Sequence, residues 1–266
     1  MRNVIICLVI ALSISSCNTK PAGSDTSMLV KDLASENLRG NISKVETDSY
    51  NIDSTGKTGP LDEKTVEKYD SSGYTISTVT MNGKDSIKYQ TVLQRNAVGF
   101  VTDVKTTGGN GEKKSDLTIT YDSLGKYNQA KSYDSTGKMD SYYTAITSNQ
   151  FGEVTGGKQF HLDSILKSSF ENDFDSVYFS GNRSKDSLGK LTYSNKIKFN
   201  DKRDASEMNE TIITKDPKTK MDSTKNTVTT YTYAGWDSHG NWTEQTSKNE
   251  KGKSTKLTKR VITYMN

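Results

Sequence analysis

Trp236 and Trp242 are the only tryptophans of the 266-residue chain, and they flank one short turn-like stretch. Exposed aromatic rings stack on sugar rings, and Asn241 beside them offers an amide for hydrogen bonds to hydroxyl groups. The spacing therefore predicts a glycan-binding hairpin that uses Trp236, Trp242 and Asn241. The alternative is a cross-strand aromatic pair that only stabilises the hairpin, by about 0.5–1 kcal/mol.

Residues suited to nucleophilic or metal-dependent catalysis are scarce. His161 and His239 are the only histidines, and the chain contains no Gly-x-Ser-x-Gly motif. Residues 54–58 resemble the end of a phosphate-binding loop, but Asn51 stands where that loop needs its first glycine. We therefore predict no catalytic residue, no metal ligand and no cofactor, and we expect a protein that is not an enzyme.

The dipeptide Asp-Ser occurs twelve times, and six copies extend to Asp-Ser-x-Gly. In such a motif Asp caps the backbone amides of a turn, and Gly takes the exit position with positive φ. The motif predicts a succession of β-hairpins. Calcium binding by these Asp side chains is the less favoured alternative, because no Asp-x-Asp-x-Asp-Gly run occurs.

Eight of the Asp-Ser pairs continue with Ile, Leu, Val or Thr. That triplet resembles the O-glycosylation acceptor of Bacteroidetes periplasmic and surface proteins, and hairpin tips are accessible to a modifying enzyme. The resemblance implies modification at one or more of eight serines: Ser54, Ser86, Ser123, Ser135, Ser164, Ser176, Ser187 and Ser223. The alternative is that turn and strand-start preferences alone produce the triplets.

Between the turns, apolar and polar residues alternate, most clearly from Leu191 to Phe199, and also from Val98 to Val104. Alternation of this kind predicts strands with one buried and one wet face. We predict an all-β fold in which consecutive antiparallel hairpins form one long twisted meander sheet, or a sheet that curls towards an open barrel. One short helix over residues 29–38, capped by Gly40, precedes it.

The N-terminus has the features of an export signal, with Arg2 followed by an apolar run from Val4 to Ile14. Residues 14–17 resemble the bacterial lipobox, which implies cleavage before Cys17 and lipidation of that residue. The alternative is an ordinary cleaved signal that ends near a cysteine. The predicted organisation is a signal peptide over 1–16, a lipidated Cys17 with a flexible tether over 17–28, and a hairpin-repeat β domain over 29–266.

Four short islands place an aromatic residue before the turn and Gly at its exit: residues 69–74, 121–126, 133–138 and 236–243. They resemble the YD repeat of RHS-type proteins. Together with the opening at residues 35–40, they resemble uncharacterised YD-like lipoproteins of Bacteroidetes. The resemblance implies a stack of hairpins and no established enzymology.

Charge and composition narrow the class of partner. The net charge is +4, and Lys and Asp alternate finely, so the sequence predicts no nucleic-acid partner. The densest basic stretch, residues 251–260, is interpreted as a solvated strand face. We expect a lipid-anchored protein of the cell envelope, at the outer membrane, that acts as a non-enzymatic binding module for a glycan or protein. A structural or envelope-assembly lipoprotein is the alternative, and a glycan-active enzyme is a third class.

Overall fold

The computed structural model describes residues 32–122, 125–150, 153–215, 219 and 221–265. The predicted signal peptide, Cys17, the tether and Ser123 lie outside these residues. No helix in the described part of the chain is long and apolar enough to cross a membrane.

One short helix and sixteen β-strands make up the regular structure of the described residues. They are α1 (Asp32–Ser35), β1 (Ile42–Ile52), β2 (Thr58–Tyr69), β3 (Thr75–Asn82), β4 (Ile87–Arg95), β5 (Val101–Gly108), β6 (Lys113–Tyr121), β7 (Tyr127–Tyr133), β8 (Met139–Ser148), β9 (Val154–His161), β10 (Leu166–Asp175), β11 (Tyr178–Asp186), β12 (Leu191–Phe199), β13 (Ala205–Lys215), β14 (Asp222–Trp236), β15 (Trp242–Lys248) and β16 (Ser254–Tyr264).

Each strand pairs antiparallel with its neighbours in sequence, which confirms the all-β hairpin architecture. The prediction of an open sheet or open barrel was wrong, because β1 also pairs with β16 and closes the barrel. The seam runs from Ile42 opposite Tyr264 to Asn51 opposite Lys256. Closure satisfies the backbone groups that two edge strands would otherwise leave unpaired.

Most hairpins share one turn geometry. In thirteen described turns the N–H of the first residue donates to the carbonyl of the fifth, and these begin at Asp53, Asp70, Asn82, Asn96, Gly108, Asp122, Asp134, Asn149, His161, Asp186, Asn200, Asp237 and Asn249. The fourth residue has positive φ wherever it is described, as at Gly56 and Gly189. All six Asp-Ser-x-Gly motifs form this turn, as predicted, and Asn at the first position serves equally well.

The predicted helix is shorter than expected. It covers only Asp32–Ser35, and residues 29–31 lie outside the described part of the chain. Asn37, with φ of 57°, follows the helix, and the Leu38 N–H then donates to the Leu33 carbonyl at 2.8 Å. Gly40 also has positive φ, but it lies beyond the helix and does not cap it.

The barrel interior is mostly polar. One apolar cluster, built around Val101, Val104, Ile119, Ala130 and Val154, lies against β5 to β9. A second joins α1 to β1 and β2 through Leu33, Leu38, Ile42, Val45 and Tyr69. Elsewhere, buried positions carry hydroxyl and amide groups: Thr80, Thr106, Ser141, Asn182, Ser247 and Thr258.

The outer face carries ion pairs in mid-strand. On β1, Lys44 and Glu46 flank the buried Val45 and pair with each other at 2.5 Å. Glu46 also pairs with Lys64 of β2 at 3.0 Å. On the opposite side of the barrel, Glu171 pairs with Arg183 and Lys185. Such pairs add little stability, about 0–1 kcal/mol each, but they make the wall suited to contact with water.

Candidate functional site

Residues 32–41, which we call the N-terminal segment, lie across one end of the barrel. They bond to three different turns: the Leu33 N–H to the Gly73 carbonyl, Asn37 Nδ2 to the Lys202 carbonyl, and Arg39 Nη1 to the Gly240 carbonyl. We call this end the covered end. Every other described residue before Met265 belongs to a strand or to the turn that joins two strands, so the far end consists of turns.

Asp32 fixes the start of the segment to the wall. Its Oδ2 accepts the Thr75 N–H at 2.6 Å and pairs with Arg95 Nη2 at 2.7 Å. Burial raises the pKa of Asp32, although the charge of Arg95 opposes the rise. The ion pair is therefore an internal contact between segment and barrel.

Asn241 fixes the end of the segment. Its Oδ1 accepts the Arg39 N–H at 2.8 Å, and its Nδ2 donates to the Arg39 carbonyl at 2.8 Å and to the Tyr264 hydroxyl at 2.9 Å. The side chain is only 2% exposed. Asn241 thus joins the segment, the β14–β15 turn and the end of β16.

The structure brings Trp236, Trp242 and Asn241 together, but as packed groups. Trp242 is 9% exposed and lies beside Tyr233, with ring centroids 5.5 Å apart. Trp236 is half-buried, and Lys202 Nζ lies 3.7 Å from the centre of its ring. Trp236 lies opposite Trp242 in the strand register, and each ring packs against Tyr233. Glycan binding at this hairpin stays a prediction, and the burial of Trp242 and Asn241 weighs against an exposed platform.

Three charged side chains lie near one another at the covered end: Glu36 from the N-terminal segment, Glu67 from β2 and Arg260 from β16. We call them the internal charged group. The Arg260 guanidinium carbon lies 3.6 Å from the centre of the Trp242 ring. Glu36 accepts a hydrogen bond from the Tyr69 hydroxyl at 2.7 Å, yet it is exposed. Glu36 is therefore the most accessible member of the internal charged group.

Arg260 has no ion-pair partner among the described residues, and its Nε has no hydrogen-bond acceptor. Its charge nevertheless acts on both carboxylates, and their charges act on it. The guanidinium and the carboxylates therefore lie near each other without an ion pair, and Arg260 Nε is left without an acceptor.

Protonation at the internal charged group differs from that of free carboxylates. Enclosure by the barrel raises the pKa of Glu36 to about 8, and the charge of Glu67 adds to the rise. Burial also raises the pKa of Glu67, although Arg260 opposes this. Enclosure lowers the pKa of Arg260, which still remains a cation at neutral pH. The group thus holds an extra proton at pH 7.

Glu153 is a second buried acid at the covered end, in the turn between β8 and β9. It is 1% exposed, and its Oε1 has no hydrogen-bond partner in the described structure. Burial raises the pKa of Glu153 to about 8, and the negative charge of Asp32 adds to the rise. No described cation compensates for this carboxyl group, and its burial favours the protonated form.

A groove on the outer wall near β12 is a weaker candidate. Lys196, Lys198 and Arg203 line it together with Asp175 and Asp201. Two of its cations already have partners, because Lys198 pairs with Glu207 at 2.7 Å and Arg203 with Asp175 at 2.5 Å. The groove therefore offers less unused charge than the internal charged group.

The other predicted site residues lie on turns or outside the described chain. All seven described serines of the glycosylation set are exposed. Six of them lie at the far end: Ser54, Ser86, Ser135, Ser164, Ser187 and Ser223. Ser176, between β10 and β11, lies at the covered end. Their modification stays a prediction, as does the lipidation of Cys17.

Sequence analysis missed the internal charged group. Arg260 was assigned to a solvated basic face, although Ile262 and Tyr264, two and four residues later, continue an alternation of apolar and polar residues. Extending that period of two backwards places Arg260 on the same side. The same step from Tyr69 reaches Glu67 on β2. No periodicity could have placed Glu36, which precedes the first strand.

Comparisons with known proteins add only distant similarities. No protein-family model matches the chain, and no curated protein matches it at a significant level. A porin-like protein from Bacteroides uniformis is 14% identical over 84% of this chain and 96% of its own, with a TM-score of 0.48. A porin-like protein from Bacteroides vulgatus is 12% identical over 85% and 99%, with a TM-score of 0.32.

The complex TcdB2–TccC3 contains a chain that is 13% identical over 81% of this chain, with a TM-score of 0.32. The match covers 14% of that longer chain. At these identities and TM-scores, the similarities identify neither a family nor a function. The architecture rests on the strand pairing described above.

Proposed function

We propose that this protein is a non-enzymatic binding module of the cell envelope, held at a membrane by a lipid on Cys17, whose barrel interior binds a small polar ligand. The observation that carries the proposal is the Arg260 guanidinium, which lies inside the barrel with no acidic group in contact among the residues that the structure describes. Leaving such a charge without a partner is unfavourable for the empty protein, and a ligand can compensate for it.

The outer wall supports attachment through lipid rather than through the strands. A strand that crosses a bilayer presents an outward apolar band, and charged residues there are destabilising. In this barrel, mid-strand outward positions carry pairs such as Lys64–Glu46 and Arg183–Glu171. A barrel that is anchored by a lipid and has water around its outer wall is consistent with these outward charged pairs.

Ligand retention by the purified barrel tests the binding proposal. The chain from residue 18 onwards is dialysed to equilibrium against the low-molecular-mass fraction of envelopes from the source organism, which also detects millimolar binding, and the protein compartment is recovered. The protein is then denatured, and released compounds are identified by mass spectrometry. We expect at least one compound that the unmodified protein retains and Arg260→Gln loses.

Lys259→Gln is the matched control, because Lys259 is the neighbouring cation and pairs on the outer face with Glu244 at 3.7 Å. It should retain the compound. A protein that retains nothing, or an Arg260→Gln variant that retains the same compounds, would contradict the proposal. The first of these results would favour the structural lipoprotein instead.

A further inference from the structure

The internal charged group has two halves, one cation, Arg260, and two carboxyl groups, Glu36 and Glu67, which bind ligand groups of opposite charge. A guanidinium binds carboxylates through two parallel hydrogen bonds, and Arg260 has no such partner in the described part of the chain. Glu36 and Glu67 are acceptors, and a protonated amine is the donor that suits a pair of carboxylates. A ligand that satisfies both halves therefore carries one anionic and one cationic group.

The aromatic ring at this site favours charge recognition over sugar stacking. One face of Trp242 is covered by Arg260 at 3.6 Å, and Tyr233 packs beside the same ring. A sugar ring would have to displace one of these neighbours in order to stack. The indole instead positions the guanidinium through a cation–π contact.

We propose that the internal charged group binds a small zwitterion, with the ligand carboxylate on Arg260 and a primary ammonium between Glu36 and Glu67. These are the two groups that an amino acid presents. The inference rests on the proposed function and names its ligand class.

The protonation of the empty site fits this assignment. Because the pKa of Glu36 is about 8, the two carboxylates share an extra proton at neutral pH. An ammonium that arrives between them supplies the missing positive charge and lowers that pKa. Binding should therefore release up to about one proton per ligand at pH 7.

Titration calorimetry with straight-chain amino acids tests the proposal and measures the separation of the two halves. The probes are glycine, β-alanine, 4-aminobutyrate, 5-aminopentanoate and 6-aminohexanoate, each added to the chain from residue 18 onwards. We expect one chain length to bind best, with a dissociation constant of about 0.1–10 mM, as is usual for ligands of this size. The N-acetyl derivative and the methyl ester of that compound should each bind at least tenfold more weakly.

Two pairs of variants locate the site. Glu67→Gln should weaken binding of the best probe at least tenfold, whereas Glu63→Gln, on the same strand but paired with Lys88 at 2.8 Å, should not. Arg260→Gln should weaken it similarly, whereas Lys259→Gln should not. Melting temperatures show whether each variant is folded. Titrations in phosphate and in Tris buffer, which differ in ionisation enthalpy, report the proton release.

The outcomes separate this inference from the proposed function. Equal binding of the zwitterion and its blocked derivatives, or no binding of any probe at about 20 mM, overturns the zwitterion assignment. If an envelope compound without an amine is still retained and then lost in Arg260→Gln, the binding module stands with a different ligand. If that retention fails as well, the proposed function fails with it.

Discussion

Two carboxyl groups at the covered end lack a compensating cation in contact, and both retain protons near neutral pH. Glu153 is the more deeply buried, while Glu36 is accessible. Burial without a partner favours the neutral form, because an ionised carboxylate loses its hydration there. The charge state of this end therefore changes in a pH range where ordinary carboxylates have already ionised.

Glu153→Gln should make the free energy of unfolding less dependent on pH. In the unfolded chain Glu153 ionises near its ordinary pKa of 4.5, and in the folded chain near 8. The folded state therefore binds more protons between these values, and the stability of the unmodified protein falls as pH rises from 4.5 to 8. At pH 9 the variant should be more stable by about 2 kcal/mol, measured by urea unfolding.

Glu171→Gln is the control on the outer wall. Lys185 and Arg183 lower the pKa of Glu171, so its contribution has the opposite sign and is small at this exposed position. Identical pH profiles for the unmodified protein and Glu153→Gln would show that Glu153 is not buried as described.

At the residue scale, the sequence identified the tryptophan hairpin but not the environment of its rings. The sequence shows that Trp242 is an aromatic residue next to a turn. A ring at such a position can be either exposed or buried. What buries it is Arg260 on a strand that follows and Tyr233 on a strand that precedes. Contacts between strands depend on register, which one strand's own sequence does not specify.

Among the elements, the five-residue turn is the unit that repeats. Asp or Asn at its first position accepts N–H groups from the third and fifth residues, as Asp53 does from Thr55 and Lys57. The fourth residue then has positive φ and directs the chain into the next strand. Sequence analysis recognised the Asp-Ser-x-Gly copies and treated Val98 as part of a strand. Val98 lies instead in the turn that starts at Asn96, whose side chain performs the role of Asp.

Gly189→Val tests the turn geometry. Gly189 has φ of 77°, and an added Cβ would meet no heavy atom within 4 Å, so any cost arises from the backbone. A β-branched residue resists this conformation, and the variant should lose about 1 kcal/mol or more in chemical unfolding. Gly189→Asn should cost less, because Asn adopts positive φ more readily. Equal losses for Val and Asn would contradict the argument.

Asn241→Ala tests the attachment of the N-terminal segment. It removes the hydrogen bonds to both backbone groups of Arg39 and leaves those groups without side-chain partners. The expected loss is about 2 kcal/mol, with faster hydrogen exchange at residues 32–41 than in the strands. Asn226→Ala, at an exposed position where the Asn226 side chain accepts a hydrogen bond from the Thr211 hydroxyl, should change stability by less than about 0.5 kcal/mol. Uniformly faster exchange throughout the barrel would contradict a local attachment.

On the scale of the whole molecule, alternation and turn spacing predicted the strands and their antiparallel order. Closure escaped prediction, because it depends on one pairing between the two ends of the domain. Ile42 and Val45 of β1 pack with Ile262 and Tyr264 of β16, together with Leu33 and Leu38 of the N-terminal segment. Each of these residues alone resembles any half-buried strand residue, so the sequence did not show which edges would meet.

Cys17→Ser tests how the whole molecule is held in the envelope. The substitution removes the acceptor for the lipid, and two or more acyl chains are what make such anchoring stable. The variant should remain uncleaved or leave the membrane fraction, while labelled palmitate follows the unmodified protein. Membrane association of Cys17→Ser after washing with salt and carbonate would contradict lipid anchoring.

The seam between β1 and β16 makes the backbone a ring with one interrupted connection. The Met265 N–H donates to the Asn41 carbonyl at 2.7 Å, so the two ends of the barrel chain lie side by side. A short linker between them, with new termini opened at an exposed turn such as residues 186–190, would leave every strand its two neighbours. Such circular permutants should keep the same barrel. If the linker includes the N-terminal segment, that segment lies in the loop between β16 and β1. The covered end is then closed by an internal loop.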